Sequence, residues 1–427
     1  MRDLSSFHHI ETLCAQAGYD PASGDPRVPP IVQSTTFYYD RAEQLADLFD
    51  LKAEGCFYSR LGNPTCEVLE KKVAALEGGV GAIALSSGQA ATLLTVLNVC
   101  GAGDHVVCSQ AVYGGTFNLL DVTLKKLGIE VTFVPAQASQ AEIEAAVRPQ
   151  TRLLFGETIA NPAVEVLNFE AFAGAAKKFG ILFAVDNTLA TPVNCRPLEW
   201  GADLVTHSSS KYLDGHAVAL GGIIVDGGRF DFSGNPRYPE FNRPDESYHG
   251  LVYSRDCGNK AFLVKARGQL LRDLGTTMSP MNAFLTELGT ETLHLRMERT
   301  NRNALAVAEF LAGHPEVEFV RYPFLKGENA ALAEKYLTGG GGMISFGLTG
   351  GRERAARFIA ALKLFANVTH VADLRSSVIH PASTTHRQMS EEALEKAGIR
   401  PNQIRLSLGI EHEEDLIADL KQAIERA

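Results

Sequence analysis

From Ala82 onward the chain alternates short apolar runs with stretches of helical periodicity, and this alternation limits the fold more than any other feature of its 427 residues. The runs Ala82–Leu85, His105–Ser109, Glu130–Val134, Arg152–Phe155, Ile181–Val185, Leu204–Thr206 and Gly222–Val225 read as strands, and Ala90–Cys100, Thr116–Leu127 and Phe169–Phe179 between them read as helices. Strands that are apolar throughout need cover on both faces, and the intervening helices can supply it. The pattern therefore predicts an α/β fold with a mostly parallel central sheet flanked by helices. In such sheets ligands bind beyond the carboxyl ends of the strands.

On either side of this block the character changes. Up to about Leu61 the chain is irregular and carries Pro21, Pro26, Pro29 and Pro30, which predicts an N-terminal arm rather than a packed unit. Asn63-Pro64 then opens a helix, with Cys66, Leu69, Val73 and Leu76 on one face and Gly78-Gly79 as the stop. After Val264 a helical region runs to about Leu311. Strand runs follow at Val317–Tyr322, Met343–Leu348 and Gln403–Leu408, with helices near Glu353–Leu364 and Glu413–Ile424, a smaller α+β unit. The expected division is residues 1–62, 63–264 and 265–427. Phe232–Tyr253, with Gly234, Asn235, Pro236, Pro239, Asn242 and Pro244, follows neither period, and long loops of this kind are usually functional or mobile. The Gly339–Gly342 run reads as a flexible turn before the strand at Met343.

Charge and cysteine usage narrow the function classes. Lys+Arg 40 against Asp+Glu 50 leaves a net charge of −10, which argues against general nucleic-acid binding and against a polybasic membrane anchor, while leaving room for a local basic pocket. The seven cysteines include no C-x-x-C pair and are odd in number, as expected of reduced thiols rather than a disulfide framework or a cysteine zinc site. The first residues contain no apolar stretch, and no run approaches the ~18 apolar residues of a membrane helix. A cytoplasmic protein is expected.

Several catalytic signatures fail. Gly101-Ala-Gly103 follows a helix and precedes a strand, the reverse of a dinucleotide fingerprint. The chain has no Walker loop, G-x-S-x-G or H-E-x-x-H, and His380 and His386 are six apart, the wrong spacing for one helical face. No metal site is expected.

What remains is a set of polar residues just past predicted strand ends. Ser86-Ser87-Gly88-Gln89 joins a strand to a helix, where small residues leave backbone N–H groups and a positive dipole end free for a phosphate; a plain tight turn would look the same. Asp186 ends five apolar residues and must be paired or face a pocket, unless it only caps the next segment. Lys211 follows the serine-rich strand end Thr206-His-Ser-Ser-Ser210; most lysines in such a place are surface residues. Together the three fit pyridoxal phosphate, which needs a lysine for a Schiff base, an acid for its ring nitrogen and a cup for its phosphate.

At this point the chain resembles the Cys/Met-metabolism family of pyridoxal-phosphate enzymes, of fold type I. The resemblance spans almost the whole length. It rests on Tyr58-Ser-Arg60-Leu-Gly-Asn-Pro-Thr65, Ser86-Ser-Gly88, Tyr113-Gly-Gly-Thr116, Glu157-Thr-Ile-Ala-Asn161-Pro162, Val185-Asp186-Asn187-Thr188, Ser208-Ser-Ser-Lys211-Tyr212, His380-Pro-Ala-Ser-Thr-Thr-His386 and Arg405-Leu-Ser-Leu-Gly409. Within the family it is most similar to the sulfhydrylase branch acting on O-acetylhomoserine, through the insert containing Pro239-Glu-Phe and Ser247-Tyr-His-Gly-Leu-Val252, and through Gln269-Leu-Leu-Arg-Asp-Leu-Gly275 and Leu295-Arg-Met-Glu-Arg299. The methionine γ-lyases usually carry Cys where Gly115 stands.

The resemblance implies roles. Lys211 would hold the cofactor and shuttle the Cα and Cβ protons of the substrate. Asp186 would keep the ring nitrogen protonated, Tyr113 would stack on the ring and assist proton transfer, and Asn161 would bond its phenolic oxygen. Gly88, Gln89, Ser208 and Ser210 would hold the phosphate, joined by Tyr58 and Arg60 from a neighbouring subunit. Arg405, with the backbone near Ser376, would grip the α-carboxylate of a small amino-acid substrate. The implied assembly is a homo-oligomer with sites shared across a dimer, expected to be a tetramer. The implied reaction is γ-replacement converting O-acetylhomoserine and sulfide to homocysteine and acetate, with cystathionine γ-synthase or a γ-lyase as alternatives. A sulfur-carrier protein is a further candidate partner as sulfur donor. Asp373-Leu-Arg375-Ser376-Ser377 departs from the family's wording, and Arg375 either pairs with an acidic group or faces solvent.

Overall fold

The computed structural model describes residues 7–384, 387 and 400–427; His386 lies outside them. Seven strands, β1 (Gly81–Leu85), β2 (His105–Ser109), β3 (Glu130–Val134), β4 (Thr151–Glu157), β5 (Leu182–Asp186), β6 (Leu204–His207) and β7 (Gly222–Asp226), form one sheet in the order β1-β7-β6-β5-β4-β2-β3. β6, β5, β4, β2 and β3 pair in parallel, and β7 is antiparallel to both of its neighbours, β6 and β1. The mostly parallel sheet expected from the apolar runs is therefore present. Successive residues alternate faces: Leu182 and Ala184 of β5 join one buried cluster, while Phe183 and Val185 join the other. Helices such as Pro64–Glu77, Gly88–Leu97 and Phe169–Phe179 supply the apolar cover.

A second sheet of five strands, β8 (Val317–Arg321), β9 (Met343–Leu348), β10 (Ala366–Asn367), β11 (Ser377–Ile379) and β12 (Gln403–Ser407), runs in the order β10-β11-β12-β9-β8. Its core joins Ile344, Phe346, Leu406 and Val378 to Phe358, Leu416 and Leu420 of the covering helices. β10 and β11 have two and three residues, too few to display a period in the sequence. The helices after Val264 still pack on the first unit. Arg267 donates to Glu70 at 2.7 Å, and Lys72 meets Glu287 at 2.6 Å with both side chains buried.

Four expectations change. Within the N-terminal segment, Ile10–Gln16 is a helix whose Cys14 is fully buried in the first core, so only part of that segment is irregular. The predicted helix Thr116–Leu127 is α-helical over Gly114–Asn118, widens to a π turn at Leu119–Thr123 and tightens to a 3-10 turn at Leu124–Leu127; Leu120 and Leu124 still reach the core. The Phe232–Tyr253 insert is a packed clamp. Phe232, Tyr238, Phe241 and Tyr253 are buried, Tyr238 Oη accepts the Leu182 N–H at 2.7 Å, and Arg237 donates to the carbonyls of Pro149, Thr151 and Phe179. Its aromatic contacts obey neither helical nor strand spacing, so the sequence pattern conceals them. The glycine run before β9 is likewise held: Gly342 N–H donates to Tyr212 Oη and Gly341 N–H to Asn301 Oδ1, both at 2.9 Å. Among the described residues no helix is long and apolar enough to cross a membrane.

Candidate active site

The carboxyl ends of β1, β4, β5 and β6 open into a cavity of about 550 Å³. Nine of the residues singled out from the sequence line it: Gly88, Gln89, Tyr113, Asn161, Asp186, Ser208, Ser210, Lys211 and Arg405. The first wall is made by turns after the strands. Ser87 caps the helix Gly88–Leu97, its Oγ accepting the Ala90 N–H at 3.1 Å. The Gly88 and Gln89 N–H groups of that first turn have no intrahelical acceptors and are available to an anion. Ser208 lies across from them, so close that a Cβ at position 88 would stand 2.6 Å from Ser208 Cβ; only glycine fits this approach. Ser210 Oγ exchanges hydrogen bonds with the Gly221 peptide, at 2.9 and 3.2 Å.

Asp186 and Glu157 sit side by side at the ends of β5 and β4. Glu157 Oε1 accepts the Tyr113 N–H at 2.6 Å and so fixes the loop that carries Tyr113, whose ring stands half-exposed at the mouth. Asp186 Oδ1 accepts the Thr188 N–H at 2.9 Å. Burial pushes both carboxyls above their ordinary range, and the charge of Asp186 raises Glu157 further. Behind Asp186 a buried network holds the turn: Asn187 Nδ2 donates to Glu77 Oε1 at 2.8 Å, and His207 Nε2 lies 2.7 Å from the same oxygen.

The opposite wall comes from the second sheet and the loop before β11. Arg405 of β12 is 7% exposed, donates to Asn161 Oδ1 at 3.2 Å and to the Thr369 carbonyl at 3.5 Å, and leaves its Nε without a partner. Among the described residues no carboxylate neutralises it within hydrogen-bond reach, and burial lowers it to about 10. Lys211 Nζ lies 3.3 Å from His370 Nδ1. Burial, aided by the charge of Arg405, pushes Lys211 down to about 8, where an appreciable fraction is free amine at neutral pH.

Three of the sequence-derived residues lie outside the cavity lining. Tyr58 and Arg60 are exposed, with the Arg60 guanidinium 5.3 Å over the Tyr58 ring and donating to the Arg272 carbonyl at 2.8 Å. The Ser376 N–H is already taken by Glu411 Oε1 at 2.6 Å, and its hydroxyl by Glu411 Oε2 at 2.9 Å, so it has no free donor for a substrate carboxylate. Conversely, Glu157, Thr188, Thr369 and His370 line the cavity without having been chosen from the sequence.

A cavity that gathers an amine, an acid, a phosphate-sized cup and an unpaired guanidinium suits a phosphorylated aldehyde cofactor and an amino-acid substrate. The family model described as Cys/Met metabolism PLP-dependent enzyme matches residues 11–425. The chain belongs to this family. Among Cys/Met-metabolism relatives, it is 47% identical over 422 residues to an O-acetyl-L-homoserine sulfhydrylase of Corynebacterium glutamicum, covering 96% of each chain. It is 44% identical over 429 residues to one of Leptospira meyeri, covering 97% of this chain and 96% of that one. A crystal structure described as an O-acetylhomoserine (thiol)-lyase of Campylobacter jejuni, containing N'-pyridoxyl-lysine-5'-monophosphate, superposes with a TM-score of 0.93 at 39% identity over 97% of this chain and 99% of that one. The structure of metB from Corynebacterium glutamicum superposes at 0.84 and 33%, covering 99% of both. The fold is thus that of a pyridoxal-phosphate enzyme, and as a member of the Cys/Met-metabolism family the chain takes pyridoxal 5'-phosphate as its cofactor.

Proposed function

We propose that the chain is a transferase that replaces the acetoxy group of O-acetyl-L-homoserine with sulfide, giving L-homocysteine and acetate. The Cγ–O bond breaks, a Cγ–S bond forms, and the proton released from sulfide leaves with acetate. When bound, the cofactor supplies the electron sink that makes the substrate's Cα and Cβ protons removable. The chain supplies everything else. Lys211 Nζ, shifted by burial toward its neutral form, holds the cofactor and then carries protons at Cα and Cβ. Asp186 would hold the ring nitrogen in its protonated form and Asn161 would donate to the phenolic oxygen. The Gly88 and Gln89 amides, with the hydroxyls of Ser208 and Ser210, receive the phosphate. Tyr113 closes the mouth over the ring.

Arg405 carries the reading. A buried arginine with an unpartnered Nε, facing the same cavity as Lys211, is poised for a carboxylate that the protein itself does not provide. Gly115 speaks against a methionine γ-lyase: a Cβ there would fall 2.4 Å from both a Tyr113 ring carbon and Gln89 Nε2, so the Cys usual in those enzymes would displace both. Tyr58 and Arg60, exposed in one chain, belong on this reading to the phosphate site of a neighbouring subunit, as in a dimer or tetramer. Soluble sulfide is the donor expected, and a carrier protein the competing one.

The deciding experiment incubates the purified enzyme with O-acetyl-L-homoserine and sulfide, with cysteine, or with no nucleophile. Homocysteine and stoichiometric acetate are expected with sulfide. Cystathionine formed faster than homocysteine would make the chain a γ-synthase, and dominant 2-oxobutyrate in the presence of sulfide would make it a lyase.

A further inference from the structure

We propose that His370 is a catalytic residue, the proton partner of Lys211, and that Asp373 and Arg375 support it in a relay from the cavity to the surface. The inference deepens the reading above and rests on it. Lys211 Nζ stands 3.3 Å from His370 Nδ1. An ammonium has no lone pair, so in this contact lysine donates and Nδ1 accepts. That assignment puts the imidazole proton on Nε2, which is buried and has no hydrogen-bond partner among the described residues. The carboxylate nearest to it is Asp373 Oδ2, 3.9 Å away. Asp373 is fixed by Arg375, whose own N–H reaches Oδ1 at 2.5 Å and whose Nη2 lies 3.4 Å from Oδ2. Nη2 also donates to the His216 carbonyl at 2.8 Å, while the rest of the Arg375 side chain faces solvent. Arg375, the residue that departs from the family's wording, thereby gains a place.

The step is a proton transfer between two nitrogens. An Nζ–H bond breaks, an Nδ1–H bond forms, and Lys211 is left as a free amine with its lone pair available to a substrate proton. The positive charge moves to an imidazolium beside Asp373, and the reverse transfer restores the lysine. Burial holds His370 below the ordinary imidazole range and Lys211 and Arg375 add to it, while Asp373 and Asp214 favour its protonation. Arg405 acts on the other partner, lowering Lys211. Such a relay resembles in logic any base held by an acid behind it, where the acid sets the tautomer.

The test uses the full-length protein stripped of cofactor, and then the reloaded enzyme. Only a neutral amine attacks an aldehyde, so the rate at which added pyridoxal phosphate becomes borohydride-fixed to Lys211, followed by mass spectrometry, reports how readily that lysine loses its proton. His370→Phe and His370→Gln are expected to slow attachment about tenfold at pH 7, with the deficit vanishing above about pH 9, where the amine deprotonates unaided. In the reloaded enzyme kcat should fall by a similar factor while KM for the amino-acid substrate stays within about twofold. Asp373→Asn, which keeps the shape of the loop, should give a smaller loss of the same pH signature, about threefold. Attachment at the wild-type rate across the pH range in these variants, with wild-type kcat, would reduce His370 to a piece of cavity wall. Failure of the wild type itself to couple at Lys211 would instead remove the reading on which the relay rests.

Discussion

At the carboxyl end of the parallel strands, Glu157 and Asp186 stand side by side on β4 and β5; at the opposite end of the same sheet, Asp203 precedes β6 and Asp226 closes β7. All four carboxyls are pushed upward by burial, Asp203 and Asp226 each to about 7. Their surroundings differ. Asp203 accepts the Phe183 N–H and so ties the start of β6 to β5, and Asp226 accepts the Gly228 N–H and fixes the turn after β7, both at 2.8 Å. Glu157 and Asp186 face an open cavity that also holds Lys211, His370 and an unneutralised Arg405. A displaced titration therefore marks a buried acid but not a site. The site is marked by convergence, where groups of opposite charge share a volume large enough for a ligand.

Substitutions at the two ends should separate function from stability. Lys211→Ala should have the largest effect, removing turnover by at least the ~10²–10⁴-fold that a positioned proton carrier contributes. The melting temperature should change little, because a buried cation without a carboxylate partner adds nothing to the fold. Wild-type turnover in Lys211→Ala would place the chemistry elsewhere. Asp186→Asn comes next. Loss of a charge-assisted hydrogen bond costs about 1.5–3 kcal/mol, hence a fall of about 10–100-fold in kcat, again with an unchanged melting temperature. An equal loss of stability and activity would show that Asp186 is structural, like its counterparts at the far end.

At that far end the expectation reverses. Asp226 titrates near 7 in the folded chain against an ordinary 3.8, so between those pH values the folded state binds more protons than the unfolded one. Its contribution to stability is therefore fully present at acid pH and falls as pH rises from about 4 to about 7. Asp226→Asn removes the titrating group and leaves an oxygen for the Gly228 N–H. Thermal unfolding of the variant should match wild type near pH 4 and exceed it by a few degrees at pH 8, with kcat within about twofold at both. A variant less stable than wild type at pH 8 would mean that the charge is compensated and that the contrast between the two ends is false.

How much of this was legible in the sequence follows from where each residue sits. Gly88, Asp186 and Lys211 stand where a strand's apolar run stops, and such stops are visible in one dimension. Glu157 gives the same signal, directly after the run Leu153–Gly156. His370 and Asp373 gave none. They lie between two very short strands, in a stretch without a period, and tertiary packing alone brings His370 to Lys211, 159 residues earlier. The engagement of Ser376 by Glu411, 35 residues on, is invisible locally for the same reason. Tyr58 and Arg60 had a recognisable wording but need surroundings that a single chain does not contain.

The smallest effects test the comparison at the level of one hydrogen bond. Ser87 and Ser139 both cap helices: Ser87 Oγ accepts the Ala90 N–H at 3.1 Å, and Ser139 Oγ the Glu142 N–H at 3.4 Å within a reciprocal capping box. Replacing either serine by alanine strands one N–H and should cost about 1 kcal/mol of stability in each case. Of these two helices, Gly88–Leu97 is the one whose first turn lines the cavity. If its N-terminal amides hold a phosphate, fraying that turn should weaken pyridoxal phosphate binding several-fold in Ser87→Ala and leave it unchanged in Ser139→Ala. Calorimetric titration of both variants with the cofactor, beside their unfolding curves, compares the two caps directly. Equal affinities at equal stability loss would detach the phosphate cup from this helix, and would move the anion's support onto Ser208 and Ser210 alone.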